Sequence, residues 1–203
     1  MVLEKKYKFS FTAASLRTKD LVTIVLRETS KNNDDIELIL GNGKSTTGKR
    51  LLLELNNWLS TLTRPQIEVL KNGTFKAQNE MAFLAVCKYF DFIREFVIEV
   101  VREKYLVFDY ELTDGDYLSF FRRKSEFHPE MDNLTDITQK KLKQVTFKIL
   151  EQAGIIDAVK SRIIQPQLLE SDTLKVIMKD HSELLKVFLY SDFDIHRLQE
   201  AYE

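Results

Sequence analysis

The 203-residue sequence holds one cysteine, three prolines and six glycines. Cys87 alone excludes a disulfide framework and any multi-cysteine zinc or iron–sulfur site. A reducing cytoplasm is the compartment expected of such a chain. So little glycine and proline excludes collagenous, low-complexity and disordered classes. No run approaches the roughly 18 apolar residues of a membrane-spanning helix. The longest apolar-looking region, Phe83 to Val101, is interrupted by Lys88, Asp91, Arg94, Glu95 and Glu99. Met1-Val2-Leu3-Glu4-Lys5-Lys6 has no apolar core behind its lysines, so it is not read as a signal peptide. Excess charge of one sign is absent too, with 30 basic and 31 acidic residues and a formal net charge of -1. The balance conceals an asymmetry. Residues 1–50 hold 10 basic and 6 acidic side chains, whereas residues 164–203 hold 4 and 8. A basic front points to an anionic partner.

What is present is apolar residues at helical spacing. Leu21, Ile24 and Val25 follow a polar start at Thr12–Ser15. Leu51, Leu52, Leu55, Trp58, Leu59 and Leu62 mark a strong amphipathic helix. Thr63-Arg64-Pro65-Gln66 has the form of a capping box with proline in the first turn, and Asn72-Gly73 ends that helix. Residues 76–90 and 92–104 read as two helices joined near Asp91. Thr113-Asp114-Gly115-Asp116 opens another, with Asp116 favoured by the helix dipole. Leu142, Val145, Ile149 and Ala153 lie on a helix that ends at Gly154. Ser171 and Ser182 are read as N-caps of two final helices. Tyr105–Leu112 is ambiguous and compatible with extended structure. Strand signals are confined to the weak alternation Tyr7–Phe11 and the apolar run Ile36–Leu40. The predicted fold is an all-α single helical bundle, residues 1–165, with a helical C-terminal extension, residues 166–203, packed on it.

The only loop-rich stretch, Gly41–Gly48, invites a phosphate-loop reading, which requires two glycines five apart, then Lys, then Ser or Thr. Ending the motif at Gly43-Lys44-Ser45 requires glycine where Leu38 stands. Pairing Gly43 with Gly48 places Lys49 correctly but puts Arg50 where a hydroxyl is needed. The stretch fits another chemistry better. No acid intervenes between Glu37 and Glu54, and Lys44, Ser45, Thr46, Lys49 and Arg50 open a helix, an arrangement suited to phosphate. A solvated loop with a helix start is the plainer alternative. Lys5, Lys6, Lys8, Arg17 and Lys19 form an N-terminal basic cluster, with Phe9 and Phe11 interleaved and read as core anchors. A secondary basic patch comprises Arg122, Arg123, Lys124, Lys140, Lys141 and Lys148, for which a charged solvent face is the bland reading. His128, His181 and His196 are scattered, with no two at metal-ligand spacing. Cys87 is read as a buried small hydrophobe. No nucleophile–base set emerges, and no metal, cofactor or small-molecule substrate is expected.

Phe83-Leu84-Ala85-Val86-Cys87-Lys88-Tyr89-Phe90-Asp91-Phe92-Ile93-Arg94-Glu95-Phe96-Val97, followed by Val100-Val101-Arg102-Glu103-Lys104, resembles the central block of the BrxA family of bacteriophage exclusion (BREX) systems. A second block is similar as well: Asp116-Tyr117, Phe120-Phe121, Lys124, His128-Pro129-Glu130, Thr138, Lys141-Leu142, Gln144-Val145, Leu150-Glu151 and Ala153-Gly154. Phe9-Ser10-Phe11-Thr12 with Ser15-Leu16, and the helix start at Lys49-Arg50-Leu51, extend the likeness over most of residues 7–165. The resemblance implies a fold similar to NusB-type antitermination factors. It implies a non-enzymatic accessory protein that binds double-stranded DNA, with RNA as the neighbouring possibility, and acts beside other BREX proteins. The family also carries an inner-membrane label, against which this sequence argues. It departs from the family pattern at Ala13-Ala14 and in the Gly41–Gly48 loop. The alternative function is an adaptor that docks other BREX components without touching DNA.

Overall fold

Apolar positions three and four residues apart close into helices that each bury one stripe. The computed structural model describes residues 6–13, 15–30 and 36–202. In chain order the α-helices are α1 (Thr18–Ser30), α2 (Ile36–Leu40), α3 (Ser45–Leu59), α4 (Arg64–Asn72), α5 (Phe75–Tyr89), α6 (Asp91–Phe96), α7 (Glu103–Leu106), α8 (Asp114–Ser125), α9 (Asp136–Ala153), α10 (Ser171–His181) and α11 (Asp192–Tyr202). A π-helical segment, Val97–Arg102, joins α6 to α7. Among the described residues, extended pairing amounts to two isolated antiparallel bridges, Glu111 with Ile163 and Ile156 with Ile164. The protein is all-α.

The helices divide between two units. The first comprises residues 1–15, 90–168 and 182–203; the second comprises residues 16–89 and 169–181. The segment after residue 165 is therefore shared: α10 belongs to the second unit and α11 to the first.

In the second unit, α5 is the central element. It buries Ala77, Met81, Ala82, Phe83, Leu84, Ala85, Val86 and Cys87, and α1, α3, α4 and α10 all pack on it. Thr63 and Gln66 form the expected capping box at the start of α4. Lys88 pairs with Asp180 at 2.8 Å, and the Gln66 amide donates to the same carboxylate at 3.0 Å. The carboxylate of Glu80, buried on α5, accepts the Glu170 amide at 3.3 Å, and burial holds its pKa above the ordinary value. Trp58 is fully buried and its indole N–H donates to Glu54 at 3.0 Å.

The first unit has an aromatic core. Phe90, Phe92, Phe96, Tyr117, Phe120 and Phe147 are fully buried or nearly so. Phe92 meets Phe120 edge-on at 5.3 Å and Phe96 meets Tyr117 at 5.5 Å; pairs of this geometry add to the stabilisation that area alone supplies. Tyr7 stacks on buried His128 at 3.6 Å, and Phe11 meets Phe90 at 5.2 Å. Phe11 is thus a core anchor, whereas Phe9 is half-buried and meets Phe92 edge-on at 5.6 Å. Arg102 is buried, donates to the Tyr190 carbonyl at 2.8 Å and pairs with Glu103 and Asp192.

Several local expectations change. Ile36–Leu40 is helix, not strand. Ile36 and Leu40, four apart, are buried while Leu38 and Ile39 are exposed, whereas a strand would place Ile36, Leu38 and Leu40 on one face. Tyr7–Phe11 pairs with no strand among the described residues. Its aromatics enter the core and Ser10–Ala13 coils into a 3-10 turn, so α1 starts at Thr18 rather than after Thr12. Ser182 opens a 3-10 helix, Ser182–Phe188, that buries Leu185, Val187 and Phe188, a spacing a single α-helical stripe does not serve. The final α-helix begins after Ser191, whose hydroxyl accepts the Asp194 amide at 3.0 Å. The ambiguous Tyr105–Leu112 stretch begins as the end of α7 and contributes one bridge residue, Glu111.

Candidate nucleic-acid interface

The helix α3 presents one face to the protein and the other to water. Gly48, Leu55, Trp58 and Leu59 are buried. Thr46, Lys49, Arg50, Leu53 and Asn56, spaced three and four apart, are exposed, and Leu53 retains 66% of its surface. This stripe carries no acid; Glu54 lies off it, bonded to Trp58. Lys44 precedes the helix with extended backbone and gives it no side-chain cap.

Glycine explains how α3 reaches this position. The turn after α2 closes with the Gly43 amide on the Leu38 carbonyl at 2.7 Å and the Asn42 amide on Ile39 at 3.3 Å, a Schellman-type stop. Asn42 and Gly43 have φ of 48° and 85°, the left-handed region that these two residue types tolerate best. A Cβ on Gly48 would lie 1.7 Å from the Glu37 carbonyl oxygen. The first turns of α3 therefore cross directly over the backbone of α2. The loop proper is only 41–44; Gly48 lies inside the helix and serves helix crossing, not phosphate cradling.

This crossing also brings an acid where the linear sequence has none. Glu37 accepts the Ser45 hydroxyl at 3.2 Å and pairs with Lys49 at 3.8 Å. The lysine remains 65% exposed, and a loose, solvated pair of this kind is worth little. Lys44 and Arg50 make no ion pair among the described residues.

The other expected cations are placed as follows. Arg17 starts α1 at φ 54° and pairs with Asp20 at 3.0 Å, while Lys19 on α1 is exposed. Lys6 and Lys8 are exposed but belong to the first unit, and Lys5, like Ala14, lies outside the described residues. In the secondary patch, Arg122 on α8 is exposed, but Arg123 pairs with Glu99 at 2.7 Å and Lys124 is held between Glu95 and Glu99 at 2.6 Å each. Burial opposes the charge on Lys124, yet the two carboxylates raise its pKa above the ordinary value. On α9, Lys140 and Lys141 are exposed, Lys148 is bonded to Glu151, and Lys143 pairs with Asp114. Among the described residues, Arg123, Lys124 and Lys148 are thus matched by acids while Arg122, Lys140 and Lys141 stay exposed; of Lys44, Lys49 and Arg50, Lys49 alone meets an acid. Sequence reading overlooked Leu53 and Asn56; their spacing from Thr46, Lys49 and Arg50 was the available signal.

His128 is buried against Tyr7 and Glu130, Cys87 is buried, and His181 and His196 are exposed on different helices. Among the described residues, no helix is long and apolar enough to cross a membrane.

Fold and surface define an all-α protein whose second unit turns one basic helix face to solvent. The chain belongs to the BrxA family, whose model matches residues 5–181. It is 23% identical to the BREX protein BrxA of Escherichia coli O9:H4 (strain HS) over 141 residues, 70% of this chain and 66% of that one. It is 30% identical to the BREX protein BrxA of Bacillus cereus (strain H3081.97) over 112 residues, 55% of this chain and 56% of that one. The matches thus span about two thirds or less of these relatives' lengths. The fold is similar to the crystal structure of an uncharacterized protein from Magnetospirillum magneticum, with a TM-score of 0.77 at 17% identity, covering 91% of this chain and 98% of that one.

Proposed function

We propose that this BrxA-family chain is a non-enzymatic accessory protein of BREX phage defence that acts in the cytoplasm and binds double-stranded DNA through α3. The observation that carries the reading is the exposed stripe of α3, which carries no acid of its own and on which Lys49, loosely paired with Glu37 of α2, and Arg50 stand beside Lys44, Ser45 and Thr46. Phosphate contacts from such groups are electrostatic and displace condensed counterions, so affinity falls steeply with salt. Three phosphates neutralised by Lys44, Lys49 and Arg50 correspond to a log–log salt slope of about -3.

Fluorescence anisotropy with duplex DNA across a salt series tests this. The expected result is that slope, with the Lys49→Glu/Arg50→Glu protein binding at least about ten-fold more weakly, each lost phosphate contact being replaced by like-charge repulsion. Unchanged binding by that variant, with loss in Arg122→Glu/Lys140→Glu/Lys141→Glu, would transfer the site to α8 and α9. An affinity insensitive to salt would exclude phosphate grip.

The adaptor reading has its own footing. Val107 and Phe108 are 69% and 79% exposed, and Phe108 is held at φ 63° with its ring 6.4 Å from exposed Tyr110. Exposed aromatics of this kind anchor protein interfaces. Co-purification with another BREX protein that Phe108→Ala abolishes, in a chain without DNA affinity, is the outcome that favours it.

A further inference from the structure

The DNA-binding reading leaves open how much of the double helix α3 senses. We infer that α2, the 41–44 turn and α3 act as a helix-turn-helix, with α3 as a recognition helix that lies in the major groove and reads bases through Arg50, Leu53 and Asn56. This rests on the DNA-binding reading and goes beyond it, since phosphate grip alone carries no sequence information.

Three observations converge. The first is the connection. A short helix, a four-residue turn containing glycine and a longer second helix match the helix-turn-helix unit, and the near-contact of Gly48 with the Glu37 backbone locks the two helices at one crossing. A helix that enters a groove has to hold its orientation, and this packing holds it.

The second is shape. Along α3 the exposed stripe runs from Thr46 to Asn56, about 15 Å at the α-helical rise. That length spans about four base-pair steps at roughly 3.4 Å each. The helix carries its bulky residues, Trp58, Leu55 and Leu59, on the buried side. Its outer side is built of medium-sized groups that a groove about 12 Å wide admits.

The third is chemistry. A phosphate-only surface needs cations alone, yet this stripe also carries an exposed leucine and an exposed carboxamide. Arginine presents the fork that matches guanine O6 and N7, asparagine matches adenine N6 and N7, and an aliphatic side chain meets the thymine methyl. Arg50, Asn56 and Leu53 supply one of each on a single face. Lys44, Lys49 and Thr46, nearer the turn, are left to flank the groove and meet phosphate. The stripe itself carries no acid, and the single carboxylate beside it, Glu37, pairs only loosely with Lys49 and leaves Lys44 and Arg50 unmatched among the described residues; this net positive charge suits the negative potential of the groove walls and favours a polyanion over a protein partner as occupant.

The test is selection of duplexes from a randomised library by the full chain, followed by anisotropy on the selected duplex, a random duplex and an RNA duplex. Wild-type protein is expected to enrich a core of three to five base pairs. Asn56→Ala and Arg50→Ala, both exposed substitutions, are each expected to lower the selected-to-random affinity ratio about ten-fold and to erase the preference at one base. Replacing the selected guanine by 7-deazaguanine, which removes the N7 acceptor, is expected to weaken wild-type binding and to add nothing in the Arg50→Ala variant.

Duplex binding by wild type without an enriched core overturns the recognition-helix inference while the phosphate-grip reading stands. So does an equal loss by Asn56→Ala on selected and random DNA. Competition by a minor-groove drug, or preference for the RNA duplex, whose major groove is too narrow for a helix, also overturns it. No binding to any duplex removes the DNA reading itself.

Discussion

A methyl group added at Gly48 would collide with the carbonyl oxygen of Glu37, whereas one added at Gly43 would meet nothing within 4 Å. Gly43 and Gly48, two of the three glycines of this stretch, are therefore required for different reasons. Gly48→Ala gains helix propensity of about 1 kcal/mol but overpacks a backbone crossing that has no flexible side chain to yield. Overpacking of this kind costs roughly 1–3 kcal/mol. We expect a lower melting temperature, read by circular dichroism. Gly43→Ala keeps the space and loses only the left-handed preference, a penalty of about 1–2 kcal/mol. It should leave the α2–α3 crossing, and hence the proposed affinity for duplex DNA, nearly intact. Neither role could be read from spacing alone. In the linear sequence the glycines looked like one loop because the partner of Gly48 is a backbone atom eleven residues upstream.

At the level of single helices, capping governs where elements start. Thr113 accepts the Asp116 amide at 3.1 Å, and the Asp116 carboxylate accepts the Thr113 amide at 2.7 Å. Thr113→Ala is expected to destabilise the protein by about 1 kcal/mol, measured as a shift in the denaturant midpoint without a change in slope. Caps of this type were legible in advance. Thr63 with Gln66, Thr113 with Asp116, and Gly154 at φ 75° stand where residue type and spacing placed them. So did the buried faces of α3 and α9, because a stripe of Leu, Val and Ile at helical period has one reading. The short apolar run Ile36–Leu40 gives a strand signal yet forms a helix, because five residues carry too little periodicity to separate the two geometries. The pairing of Lys124 with Glu95 and Glu99 was hidden for another reason: it depends on which way two helices face, and no local pattern records that. For the same reason the acid nearest α3, Glu37, was assigned to the edge of the stretch rather than to its surface.

Across the whole molecule, acidity acts through a few matched carboxylates. Hydrogen bonds from Arg162 and then Lys143 hold Asp114 below its ordinary pKa of 3.8, and Lys186 with Arg102 does the same for Asp192. A carboxylate depressed in the folded state contributes stability above its unfolded pKa and loses it as pH falls through the folded value. The protein is therefore expected to lose stability below about pH 4, the carboxylate range in unfolded chains. Asp114→Asn should lower the melting temperature at pH 7 and leave the difference between pH 7 and pH 3 smaller than in wild type. Both aspartates belong to the first unit, whereas the one tryptophan of the sequence, Trp58, belongs to the second. Emission at acid pH thus follows one unit while far-ultraviolet ellipticity follows both. Trp58 also sits on the inner side of the very helix whose outer side meets solvent. The chain carries its own fluorophore there, so a shift of that helix on its bed, should the proposed duplex binding cause one, would register in intrinsic emission with no dye attached.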